Sequence, residues 1–169
     1  MTDSPRQRGQ QWLKTLLKKS GITDDVDIQV ELDTNHELPE QKTYWLTIDK
    51  TNLTPEQIQV LIGDRGSVLD AIQYLANSIL NLNQSPEEQG SYTIELDGYR
   101  VKRQGEIQAM AQSAIQEVRA TGQEVIIKSL SSSERRQVHS LLQDFTDLKT
   151  FSRGKEPNRH LVVCLASME

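Results

Sequence analysis

Apolar residues fall at helical spacing at Trp12, Leu13, Leu16 and Leu17, with Lys14, Lys18 and Lys19 on the other turns and Gly21 as a stop. This predicts an amphipathic helix over 10–19. Val26, Ile28, Val30 and Leu32 then alternate with Asp27, Gln29 and Glu31, the period of a half-buried strand. After a loop over 33–41, a second strand is predicted over 44–48, and an antiparallel pair is the simplest arrangement. Thr54 and Pro55 signal a helix start, followed by Ile58, Val60, Leu61 and Ile62 up to Gly63. Beyond Gly66, the spacing of Val68, Leu69, Ile72, Leu75, Ala76, Ile79 and Leu80 predicts a longer helix with one broad buried face. A polar loop over 81–90 leads to a third strand over 92–96. The predicted order is helix, strand, strand, helix, helix, strand.

The second half opens with a helix over 99–121, striped by Ile107, Met110, Ala111, Ala114, Ile115 and Val118 and ended by Gly122. Val125 to Ile127 form a short β-branched strand. Ser131 and Glu134 stand at capping-box spacing before a helix that turns Val138, Leu141, Leu142 and Phe145 inward and stops near Asp147. A strand beginning at Thr150 and Phe151, a turn over 152–157 and a buried strand over 161–165 complete the chain. The fold class is α+β in two domains, 1–97 and 98–169.

Composition narrows the function classes. The 169 residues are 36% hydrophobic and 25% charged, as in a soluble globular protein. No apolar run approaches the roughly 20 residues of a membrane helix, and the first residues lack the apolar core of a signal peptide. The expectation is a cytoplasmic protein without membrane insertion. The single Cys164 lies in an apolar run and reads as a small buried hydrophobe. The net charge of −5 argues against a polyanion partner, yet residues 1–98 hold 8 Lys and Arg against 16 Asp and Glu, and residues 99–169 hold 11 against 8. The second half, at +3, suits an anionic ligand better.

Two short patterns are candidates for chemistry. Gly63-Asp64-Arg65-Gly66 joins the two middle helices. Glycine permits positive φ and lets a phosphate approach main-chain N–H groups at the next helix start. Alone, such a pair of glycines is more often a turn. Its place in the element order resembles the KH type II layout, whose GxxG loop clamps single-stranded nucleic acid. Arg135 and His139 stand four apart, and helical geometry predicts that they share an exposed basic sector with Arg136, beside the apolar stripe. Arginine forks onto phosphate oxygens and histidine donates N–H bonds there, whereas the bland reading is a solvated helix face. Lys149, Arg153, Lys155 and Arg159 extend this patch if the last strands pack beside the helix. Trp12, Trp45 and Tyr92 read as core rather than as base-stacking residues. His36, His139 and His160 lack metal-ligand spacing, and the carboxylates, Glu37 among them, form no obvious catalytic pair. No cofactor, metal or enzymatic activity is expected.

The run from Val60 to Leu75 across Gly63-Asp64-Arg65-Gly66 is similar to the KH signature of the bacterial Jag family. Leu96-Asp97-Gly98-Tyr99-Arg100, Thr121-Gly122, Ser133-Glu134-Arg135-Arg136-Gln137-Val138-His139 and the run from Thr150 to Arg159 resemble that family in order and spacing. The resemblance implies a KH type II-like domain followed by a small α/β domain of the R-3-H type, named for an Arg and a His with three residues between them. It implies that the two hold single-stranded RNA or DNA without catalysis, in RNA regulation. The nucleic-acid contacts it implies are Gly63, Asp64, Arg65, Gly66, Arg135 and His139, with Arg136, Arg153, Lys155 and Arg159 as further phosphate contacts. Asp64 departs from the more basic loops of the family by setting a negative charge where a phosphate would lie. The N-terminal Jag domain of many relatives has no counterpart in this stretch. An adaptor role is the alternative, in which the KH surface meets a second copy or a small KH protein in cell-envelope growth.

Overall fold

The computed structural model describes residues 4–34 and 42–167. Residues 35–41, with His36, Glu37 and most of the loop expected between the first strands, lie outside them. The chain divides into two compact units, residues 1–100 and 101–169.

The first unit opens with α1 (Pro5–Lys19), five residues earlier than the apolar pattern indicates. Ser4 accepts from the Gln7 N–H while the Gln7 side chain returns to the Ser4 N–H, and Pro5 takes the first helical position. These polar signals start the helix before any apolar residue needs burying. Strand β1 (Ile28–Leu32) pairs antiparallel with β2 (Thr43–Ile48) in the register Val30 to Leu46. Helix α2 (Pro55–Ile62) starts on a second capping box, Thr54 with Gln57, and a single 3-10 turn, Asp64–Gly66, leads into α3 (Ser67–Ile79). Strand β3 (Ser91–Leu96) then joins β2 in parallel, giving the order β1-β2-β3. The expected α-β-β-α-α-β order is therefore present.

Leu13, Leu17, Leu46, Leu69, Ile94 and Leu96 are almost wholly buried between the helices and one sheet face. Burial of each side chain contributes about 1.5–3 kcal/mol. One expectation is corrected. The buried face of α3 is narrow, because a sheet covers a single stripe of a helix. Leu69, Ile72, Ala76 and Leu80 fill that stripe, whereas Leu75 and Ile79 are 41% and 44% exposed.

Helix α4 (Tyr99–Thr121) gives its first two residues to the first unit and the rest to the second. There it is followed by β4 (Val125–Ile127), α5 (Ser132–Leu142), β5 (Leu148–Arg153) and β6 (His160–Leu165). The strands form an antiparallel sheet of order β4-β6-β5. Its inner face, with Ile127, Leu148, Leu161 and Val163, packs with Ile107, Ala111, Ala114, Ile115 and Val118 of α4 and with Val138 and Leu142 of α5. Cys164 is buried, as expected. Leu141, expected inward, faces solvent, and Phe145, beyond the helix end, packs against the core instead.

Candidate nucleic-acid interface

The link between α2 and α3 is held open by its backbone. Gly63 has φ 72°, Arg65 φ 51° and Gly66 φ 79°, all in the left-handed half of conformational space. A Cβ on Gly63 would come within 2.5 Å of Val68 Cγ2, and one on Gly66 within 2.5 Å of the Tyr99 ring. Both positions therefore demand glycine twice over, for dihedral angle and for space. No side chain caps the N-terminus of α3. Asp64 and Arg65 are both exposed and pair with each other at 3.2 Å, so the loop's one cation is shared with its own neighbour.

Tyr99 is fixed beneath this link by the turn at Asp97 and Gly98 (φ 54° and 69°). The next residue, Arg100, donates through Nε to the Ile94 carbonyl at 3.1 Å, through Nη2 to Gln73 Oε1 at 3.2 Å, and pairs with Asp70 of α3. Buried Glu95 accepts from the Leu96 N–H at 2.7 Å and from the Arg100 N–H. The Leu96-to-Arg100 motif thus braces the back of α3.

In the second unit, α5 lies along β5 and the two enclose a cleft of about 460 Å³. Arg135, Arg136, His139, Thr150, Glu156 and Arg159 line it, with Ser132, Phe151, Ser152 and Leu161. His139 and Arg136 are exposed, and His139 Nδ1 hydrogen-bonds Thr150 Oγ1. Among the described residues, Arg136 and Arg159 enter no ion pair.

Arg135 does not share the exposed sector expected of it. It is only 5% exposed. Its guanidinium donates to the Leu130 carbonyl at 2.9 Å and the Arg159 carbonyl at 3.3 Å, and pairs with Glu156. The reason is positional: Arg135 is one turn before His139 but adjoins the helix start, where the chain from β4 and the turn before β6 both bring carbonyls inward. Arg153 likewise does not reach the cleft as a free cation. Both oxygens of Glu124 accept from it, at 2.8 and 3.0 Å. This hydrogen-bonded pair holds the Glu124 carboxyl below its ordinary pKa and raises that of Arg153. Lys155 stands exposed in the turn and does not line the cleft, whereas Arg159 does. Sequence reasoning missed Glu156 and Thr150 as cleft residues and Tyr99 as the prop of the glycine link. Only their occurrence in the family-like segments pointed to them.

An α+β unit with two helices on one face of a β4-β6-β5 sheet and an Arg-x-x-x-His helix at its edge defines the class: residues 105–165, most of the second unit, match the R-3-H domain family. Over most of its length the chain is similar to "RNA-binding protein KhpB" of Bacillus subtilis (strain 168), 29% identical over 161 residues, 94% of this chain and 70% of that protein. Proteins of the same name from Clostridium symbiosum and Lactiplantibacillus plantarum are 31% identical over 68% of the chain and 28% over 91%. The matches span 50% and 43% of those two proteins. These relatives bear out the Jag-family resemblance drawn from the motifs. The R-3-H name is matched directly, and the KH name rests on element order and the glycine link.

Proposed function

We propose that this chain is a non-catalytic binder of single-stranded RNA, with a KH-like domain at 1–97 and an R-3-H domain at 98–169, acting in the cytoplasm without cofactor or metal. The observation that carries this reading is the convergence of Arg136, His139 and Arg159 on one open cleft, together with a glycine link in which Asp64 and Arg65 are exposed, although Gly66 itself is buried. The name that the relatives bear, RNA-binding protein KhpB, supports the same ligand class. In the first domain Gly63, Arg65 and Gly66 would grip the sugar-phosphate strand, with Asp64 opposing it. In the second, Arg136, His139 and Arg159 would supply donors, while Arg135 would act mainly by holding the wall of the cleft in place. Lys155 would add only long-range attraction.

Fluorescence anisotropy with a labelled RNA decamer, its DNA counterpart and a duplex, at two salt concentrations, tests this. Single-stranded RNA should bind at micromolar strength, with affinity falling as salt rises, because few phosphates are engaged. R136A with H139A should weaken binding about 3- to 10-fold without changing the melting temperature, and D64N should strengthen it modestly. No binding, or binding indifferent to both variants, would sink the reading.

A second reading is favoured by a separate observation. Tyr74, Leu75, Ile79 and Leu82 form an exposed apolar strip along and just beyond α3, on the acidic half of the chain, which suits an adaptor that docks a second copy or another protein. Sedimentation of the purified chain separates the two: a stable dimer abolished by L75D, with no RNA affinity, would replace the first reading by the second.

A further inference from the structure

Among the described residues strand β5 is an edge strand, bonded to β6 alone. Thr150 and Ser152 line the cleft, while alternation turns Lys149, Phe151 and Arg153 toward the other sheet face. Phe151 sits at the seam. It is 38% exposed, contributes to the cleft lining, and lies opposite buried Val162 of β6 in the strand register. The Arg153 guanidinium carbon lies 5.3 Å from the centre of the phenyl ring. Two of that guanidinium's N–H donors go to the two oxygens of Glu124, which balances its charge. Held in this way, Arg153 also offers its flat face, and a guanidinium plane or an aromatic ring accepts a nucleobase by stacking.

We propose that Phe151 and the Arg153 plane laid over it form a stacking platform for one nucleobase of the strand whose phosphate enters the adjoining cleft. The site reads no phosphate itself. Its charge is balanced by Glu124, so its contribution is the contact area of a planar base, which every base possesses. Glu124 acts as a positioning residue that holds the guanidinium in orientation. The platform converts a cleft selective for anions in general into one selective for nucleic acid, since inorganic phosphate or a sugar-phosphate chain lacking bases would gain nothing from it. It also requires an unstacked strand, because a paired base has no free face to present.

This inference rests on the RNA-binding reading above, and the experiment separates the two. The full chain and its F151L and F151Y variants are titrated with an RNA decamer and with an abasic ribose-phosphate decamer of equal length, and folding is followed by circular dichroism. F151L, which keeps apolar volume over Val162 but loses the ring, should bind the base-bearing strand about 5- to 100-fold more weakly and the abasic strand unchanged. F151Y should retain wild-type affinity for both. Equal loss on both strands, or no loss on either, overturns the platform while leaving RNA binding standing. Absence of wild-type binding to both strands overturns the RNA reading and the platform with it.

Discussion

The glycine link of the first unit and the cleft of the second are built from opposite materials. The link is main chain: two glycines that tolerate no Cβ, an arginine in the left-handed region, and a helix start with no side-chain cap. Its charge is nearly self-cancelling through Asp64 and Arg65. The cleft is made of side chains, and its most buried cation is spent on the fold. Arg135 satisfies two carbonyls and one carboxylate, leaving Arg136, His139 and Arg159 as the other basic side chains lining the cleft. The contrast teaches that the residue naming a motif need not be one that faces open space. A backbone site is disabled by adding an atom, whereas a side-chain site is disabled by removing one.

The largest expected effect tests the second half of that contrast. R135A strands the Leu130 and Arg159 carbonyls and the Glu156 carboxylate, and should cost about 2–3 kcal/mol, less than a fully enclosed ion pair because Glu156 is 59% exposed. Both tryptophans and all four tyrosines precede residue 101, so indole and phenol fluorescence reports the first unit alone while circular dichroism reports both. The variant should lower the dichroism midpoint in urea and leave the fluorescence midpoint in place. A fully stable R135A would mean that the arginine is a ligand contact after all.

Next in size, G66A should cost the first unit about 1–2 kcal/mol through its positive φ and the Tyr99 ring, seen as an earlier tryptophan transition. Adding Y99A should make the glycine substitution cheaper, since the space it needs is vacated; strict additivity would show that the ring is not what the Cβ meets. The smallest effect concerns pH. Hydrogen bonds from Arg153 and Arg119 hold Glu124 and Asp147 below the ordinary carboxylate range. A depressed pKa in the folded state adds stability that is complete above the ordinary carboxyl value and fades as pH falls through the lowered one. E124Q with D147N should therefore lower the second unit's neutral plateau slightly and flatten its acid limb by the same small amount, these pairs being exposed.

Much of the fold was legible because periodicity and caps agree. Thr54-Pro55 and Ser131 with Glu134 announce their helices, and the alternation from Ile28 to Leu32 announces β1. The N-terminal turn of α1 escaped a reading led by apolar residues, although Ser4, Pro5 and Gln7 carried its signal. The excess width assigned to α3 has a different origin: periodicity states which residues share a face but not how wide the covering sheet is. For the same reason Arg135 looked exposed. A helical projection records angles around one axis, while the burial of that guanidinium is decided by Leu130 and by Glu156 and Arg159, which arrive from elsewhere in the chain.

The carboxylate of Glu134 carries a final consequence. It closes the cap with the Ser131 N–H at 2.8 Å and also accepts from Arg103 of α4 at 2.8 and 3.2 Å. One acidic group thereby sets where α5 begins and how it is rotated about its own axis. A single helical position subtends about 100 degrees, so a slip of one residue at this clasp would swing Arg136 and His139 more than a quarter-turn away from Thr150. The aim of the basic groups is set at a point outside the cleft lining, and an acid to amide change there should let Arg136 and His139 drift from Thr150 before it loosens the fold.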